Sequence, residues 1–125
     1  MDAKAQRVYR AVEQRTREQV ETLLAGGGVD QIVSGLLSAT YYDPDWRWVQ
    51  GQCLFYLTHA EVAARRTAAN CLGLLAVFHK KLDVAVVLPA LEKAAADPEV
   101  KAWAEDALAD IQVSLKPQED PTQRS

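Results

Sequence analysis

Residues 84–111 read VAVVLPALEKAAADPEVKAWAEDALADI and predict two antiparallel helices joined by a very short turn. In the second helix, small or aliphatic side chains recur at the three-and-four spacing of one helix face. These residues are Val100, Ala104, Ala107, Leu108 and Ile111. Asp97 is a suitable N-cap, Pro98 fits the first helical position, and Glu99 adds negative charge at the positive end of the helix. One hairpin cannot cover its own apolar side, so we expect a neighbouring hairpin of the same kind.

The same apolar layout recurs twice upstream. The matching positions are Ala64, Ala68, Cys71, Leu72 and Leu75 in one segment, and Val49, Cys53, Tyr56 and Leu57 in an earlier one. With these repeats, roughly residues 30–112 of the chain resemble the HEAT-like α-solenoid family. The resemblance rests on Leu-Pro-x-Leu at 88–91, the Asp-Pro turn at 97–98, the pair Val100-Lys101, and Ala-x-x-Ala-Leu-x-x-Ile at 104–111.

The resemblance implies an all-α protein, namely a short right-handed α-solenoid of about three antiparallel helical hairpins. Residues 1–115 would then be a single HEAT-like helical domain, and residues 116–125, which are polar and contain two prolines, a flexible tail. It also implies that basic residues near a helix start, here Arg65 and Arg66, contact carboxylates of adjacent turns.

Apolar periodicity and capping residues predict the limits of six helices. We expect them over residues 3–25, 30–39, 46–57, 60–80, 84–96 and 98–115. Asp2 is the expected cap of the first helix, and Asp43 or Asp45 that of the third. Thr58 and Glu61 have the spacing of a capping box for the fourth.

Composition limits the class of protein. The chain has 125 residues, of which 49% are hydrophobic and 25% charged, which is typical of a folded domain. Its net charge of −3 argues against a general nucleic-acid binder. No apolar run approaches the roughly 20 residues that span a bilayer, and the polar N-terminus is unlike a secretory signal, so we expect a cytoplasmic protein.

The two cysteines, Cys53 and Cys71, fall on helix faces that the periodicity predicts to be buried. A cytosolic protein would keep them as reduced core thiols. A disulfide stays open as an alternative if the two faces meet.

No arrangement of side chains in the sequence requires catalysis. There is no Cys-His pair with an orienting acid, no nucleophile elbow and no metal-ligand spacing around either histidine. We therefore predict no catalytic residue, no metal site and no cofactor.

Two groups of residues are candidates for partner binding. The first is Tyr42, Asp45, Arg47 and Trp48, where an aromatic side chain stands beside carboxylates and an arginine. The second is Glu99, Trp103, Asp106 and Asp110, an acidic stripe with one large aromatic on the outer side of the last helix. The alternatives are that the first group covers the end of a small core and that the second is an ordinary solvated face.

Compact acidic proteins with HEAT-like repeats resemble immunity proteins encoded beside bacterial polymorphic or contact-dependent toxins, which are often basic nucleases. This resemblance implies a non-enzymatic protein that neutralises such a toxin domain by direct binding. A second hypothesis is a nucleic-acid-handling enzyme, because some HEAT-like DNA glycosylases use Trp, Asp and Arg, and Trp48, Asp45 and Arg47 echo that composition. A third is a scaffold or chaperone subunit.

Overall fold

A computed structural model describes residues 12–115 of the chain, and this part contains six helices and no strand. The helices are α1 Arg17–Gly26, α2 Val29–Tyr42, α3 Trp46–Tyr56, α4 Val62–His79, α5 Val84–Ala94 and α6 Lys101–Ser114. The prediction of an all-α fold is confirmed. None of these helices is long and apolar enough to cross a membrane.

Consecutive helices pair into three hairpins, α1 with α2, α3 with α4, and α5 with α6. The second helices of the hairpins, α2, α4 and α6, pack side by side in one layer with α4 in the middle, and α4 and α6 pack most closely. The first helices lie on the other side of this layer, each against the second helix of its own hairpin. The result is a small solenoid-like stack of three hairpins, as the repeated apolar pattern predicted.

The repeated positions form the core. The five matching residues of α4 are fully buried, and so are Val49 and Cys53 of α3. In the last hairpin Val100, Ala104, Ala107 and Ile111 are buried as well, whereas Leu108 is half-buried. The three-and-four spacing therefore identified the inward side of each helix correctly.

Small side chains let α4 and α6 approach very closely. A Cβ atom added at Gly73 of α4 would lie 2.9 Å from the Cα of Ala107 and 3.1 Å from its Cβ. Since real Cβ atoms do not come so close to a backbone carbon, this crossing depends on glycine at 73 and alanine at 107.

The two cysteines lie side by side in the core as free thiols. Contact with Cys71 and complete burial raise the pKa of the Cys53 thiol well above its usual value. The helix faces that carry them do meet, and both cysteines are in the reduced form.

The first helix begins later than predicted. Thr16 is its N-cap: the Thr16 hydroxyl accepts from the amide of Gln19 at 3.2 Å, and the Gln19 side chain accepts from the Thr16 amide at 2.9 Å. This capping box starts α1 at Arg17, so the prediction of a continuous helix over residues 3–25 is wrong for residues 12–16. The predicted Asp2 cap and the tail at 116–125 lie outside the described residues.

The predicted capping box of the fourth helix is also wrong. The Thr58 hydroxyl donates back to the carbonyl of Phe55 at 3.4 Å, and the amide of Glu61 donates to Nδ1 of His59 at 3.0 Å. The Thr58 hydroxyl and the Glu61 amide therefore bond to other groups and not to each other. Glu61 is the residue before the helix, and α4 begins at Val62.

Asp97 shapes the turn before α6 but does not cap that helix, contrary to the prediction. Its carboxylate accepts from the amide of Glu99 at 3.0 Å, and its carbonyl accepts from the amides of Val100 and Lys101. The residues after Asp97 therefore form a separate turn, and α6 begins at Lys101 rather than at Pro98.

Candidate functional site

Two residues of the first predicted group, Asp45 and Trp48, lie beside the guanidinium of Arg17 at the start of α1. The guanidinium of Arg17 donates to both carboxylate oxygens of Asp43, at 2.9 and 3.1 Å, and lies 3.3 Å from the carboxylate of Asp45. It also lies 4.4 Å from the ring centroid of Trp48. Arg17 thus joins the start of α1 to the turn between α2 and α3.

This ion pair changes the acidity of Asp43. Partial burial alone would raise the pKa of Asp43, but hydrogen bonds from Arg17 and from the amide of Asp45, with the charge of Arg17, outweigh it. The pKa of Asp43 therefore lies below its usual range, and the hydrogen bond with Asp43 is the main cause of a raised pKa at Arg17.

The four residues of the first group all have contacts within the protein. Tyr42 is half-buried, and its hydroxyl donates to the carbonyl of Val12 at 3.1 Å. The Asp45 carboxylate caps α3 by accepting from the amide of Trp48 at 3.2 Å. The exposed Arg47 lies 4.8 Å over the ring of Trp46. These contacts fix the end of the first hairpin, while a role in partner binding stays a prediction.

The second predicted group lies along α6, where Trp103 has a cation as its neighbour. The guanidinium of Arg66 lies 4.0 Å from the Trp103 ring centroid, and its Nε donates to the carbonyl of Glu99 at 2.6 Å. Trp103 remains 38% exposed. Of the two arginines expected to contact carboxylates of adjacent turns, Arg65 does so, at 3.4 Å from Asp97, whereas Arg66 binds a backbone oxygen.

Asp106 and Asp110 carry charges that no cation neutralises within residues 12–115. Asp106 is exposed, and Asp110 is half-buried with its carboxylate beside Gly73. Four residues apart on a helix, the two side chains project on the same side. The crossing of α4 and α6 thus places a pair of carboxylates beside the surface of α4.

The structure does not bring the eight predicted residues into one site. Asp45 and Trp48 lie at the end where α3 begins, whereas Glu99 and Trp103 lie at the turn between α5 and α6. Because turns alternate between the two ends of stacked antiparallel hairpins, these two positions are at opposite ends of the helices.

Sequence reasoning missed a set of exposed and half-buried apolar side chains on α2, α4 and α6. Phe78 of α4 is 48% exposed and its ring centroid lies 4.9 Å from that of Tyr41 on α2. Leu74 and Val77 of α4 are half-buried but lie outside the core cluster, and Val113 of α6 is 78% exposed. The signal was present, since 74, 77 and 78 have helical spacing but are out of phase with the buried Leu72 and Leu75.

We call this surface the α2–α4–α6 face. It consists of Tyr41, Leu74, Val77, Phe78, Asp106, Asp110 and Val113. Exposed apolar side chains rimmed by polar residues are a feature of many interaction surfaces, so this face is the candidate site.

The described residues hold no cluster of three His, Cys, Asp or Glu side chains that could bind a metal ion. Both histidines make contacts within the protein. Nδ1 of His59 accepts a hydrogen bond from the amide of Glu61, and Nε2 of His79 lies 3.2 Å from the carbonyl oxygen of Thr40. Comparison of the chain with protein-family models, with curated proteins and with solved structures gives no match.

Proposed function

We propose that this chain is a non-enzymatic protein-binding module that neutralises a basic toxin domain of bacterial origin, in the manner of an immunity protein. The observation that carries the proposal is the α2–α4–α6 face, where Asp106 and Asp110, which form no ion pair within residues 12–115, share one side of α6 with the exposed Val113, and the exposed Phe78 lies on the neighbouring α4. Each part of this face favours a partner of a particular chemistry.

The apolar part supplies an anchor. Aromatic side chains at the centre of an interface carry much of the binding energy when a partner removes them from water. Phe78 is held against Tyr41 before any partner arrives, so little conformational freedom is lost on binding. The close crossing of α4 and α6 gives this anchor a rigid support.

The acidic part selects the charge of the partner. Unpaired carboxylates attract a basic surface, speed its encounter and disfavour acidic competitors. A nuclease presents such a surface at its active site, because it must bind a phosphate backbone. A protein that covers this surface with its own carboxylates would block access of the nucleic acid.

We place this activity in the cytoplasm. Cys53 and Cys71 lie side by side without forming a disulfide, which is the usual state of thiols in a reducing compartment.

The proposal predicts that a gene adjacent to that of this chain encodes a basic toxin domain, and the test uses that domain. Co-expression should restore growth of cells that produce the toxin domain, and calorimetry should detect a complex. The double variant Asp106→Lys, Asp110→Lys should bind about 10–100-fold more weakly, and Phe78→Ala about tenfold more weakly.

The matched control is Glu21→Lys, Glu92→Lys, which makes the same change of charge at exposed positions on α1 and α5. It should bind like the wild type, and circular dichroism should show that all variants are folded. Equal weakening by the two charge reversals, or no complex with the adjacent toxin domain, would contradict the proposal. Direct binding to duplex DNA that falls steeply with salt would favour a nucleic-acid-handling protein instead.

A further inference from the structure

A second surface, on the opposite layer of helices, has mainly positive rather than negative charges among its side chains. Helices α3 and α5 pack against the second helices of their hairpins and not appreciably against each other, so a cleft separates them. Two openings lie along it, of about 380 and 410 Å³. We call this the α3–α5 cleft.

The walls of the cleft are mainly apolar in the half that holds the opening of about 410 Å³. Leu54 and Leu57 of α3 line it on one side, and Ala90 and Ala94 of α5 on the other. The alanine side chains are small and leave room for this opening. An apolar side chain of moderate size would find contacts on both sides there.

The width of the cleft is fixed at its other half. The buried Gln50 of α3 accepts a 2.7 Å hydrogen bond from the backbone amide of Asp83, the residue before α5. Since this bond connects the side chain of one wall to the backbone of the other, the cleft is present before any ligand binds.

Cations dominate the charged lining, although the whole chain is acidic. Arg47 lies at one end and Arg65 with Lys93 at the other, whereas Asp83 is the sole carboxylate among the residues that line the two openings. Within residues 12–115, neither Arg47 nor Lys93 forms an ion pair. The positive charges of Arg47 and Lys93 thus stand at the two ends of an apolar centre.

We infer that the α3–α5 cleft binds a short linear segment of a partner protein in which apolar side chains are flanked by carboxylates. From Arg47 to Thr58 the cleft follows α3 for about 16 Å at 1.5 Å per residue. An extended segment of about five residues covers that length at 3.3 Å each. Apolar contacts in the centre and ion pairs at both ends then supply affinity and orientation. This inference does not depend on the proposed function, because it concerns another layer and another charge.

The experiment selects peptides from a phage-displayed library of random 12-residue sequences on the intact protein. Selected peptides should contain an apolar centre with carboxylates on both sides. In fluorescence anisotropy they should bind about tenfold more weakly to Arg47→Glu, Lys93→Glu, whose carboxylates would repel them. Ala90→Trp should weaken binding similarly, because Ala90 is half-buried on the cleft wall and an indole would fill the apolar centre.

The matched control is Lys80→Glu, Lys101→Glu, which makes the same change of charge at exposed positions outside the lining of the cleft and should bind the same peptides with unchanged affinity. No enrichment, or peptides that bind the cleft variants and the wild type equally, would overturn the inference. Tighter peptide binding by Glu119→Gln, Asp120→Asn would overturn it as well, because the chain's own residues 116–125 would then be the occupant.

Discussion

Replacing Gly73 with alanine tests the crossing of α4 and α6 on which the α2–α4–α6 face is built. The new methyl group would lie 2.9 Å from the Cα of Ala107, 3.1 Å from its Cβ and 3.3 Å from a carboxylate oxygen of Asp110. The carboxylate can rotate away, but the backbone carbon cannot. The two helices must therefore separate by several tenths of an ångström or more.

The expected magnitude is the difference between two opposing effects. Alanine in place of glycine inside a helix stabilises by about 1 kcal/mol. Overpacking a close contact destabilises by about 1–3 kcal/mol, so Gly73→Ala should lose about 1 kcal/mol of stability in all. Gly51 of α3 is the matched control, because a Cβ atom there would meet nothing within 4 Å. Gly51→Ala should therefore gain about 0.5–1 kcal/mol.

Urea unfolding followed by circular dichroism at the helical band measures both variants. The midpoints should shift in opposite directions with an unchanged slope, because the surface exposed on unfolding is the same. The melting temperatures should differ by roughly 5–10 °C for a domain of this length. If Gly73→Ala gained as much stability as Gly51→Ala, the crossing would be looser than described, and α4 and α6 would not hold the binding face rigidly.

Three further predictions concern the charges and the thiols. Asp43→Asn should lower the stability of the protein at pH 7 but have little effect at about pH 2, and an equal shift of the urea midpoint at both pH values would refute this. The reason is that the stability from a lowered carboxyl pKa is present above the unfolded pKa of about 3.9 and is lost as the pH falls through the folded pKa. Folded protein at pH 8 should react with iodoacetamide at Cys53 about 100-fold or more slowly than protein in urea, as mass spectrometry would show, whereas similar rates would mean an accessible thiol. In a Trp46→Phe, Trp48→Phe background, Arg66→Gln should expose one face of Trp103 and increase quenching of its fluorescence by the neutral quencher acrylamide, and unchanged quenching would mean that the stacking does not persist in solution.

The architecture was predictable because it depends on local periodicity. The spacing of Ala104, Ala107 and Ile111 and its recurrence in α4 specify which sides are buried, and burial of those sides requires stacked hairpins. Capping was less predictable, because the same side chain has several possible partners. Thr16 and Gln19 form a capping box, whereas Thr58 and Glu61, which have the same spacing, do not.

The candidate sites were only partly predictable, because they depend on contacts between distant residues. The bond from Arg17 to Asp43 joins positions 26 residues apart, and no local pattern indicates it. The pairing of Tyr41 with Phe78 likewise follows from how α2 lies on α4. Sequence reasoning found the acidic half of the α2–α4–α6 face, since Asp106 and Asp110 share one helix, and missed the apolar half, which comes from three helices.

The central position of α4 has an evolutionary consequence. Among the described helices, its hairpin is the one that has a neighbour on each side, so a disruptive substitution in α4 affects both junctions between hairpins, whereas one on the α4 side of α2 or α6 affects a single junction. We therefore expect related proteins to diverge fastest in their outermost helices and to change length by gaining or losing terminal hairpins, with the middle one retained.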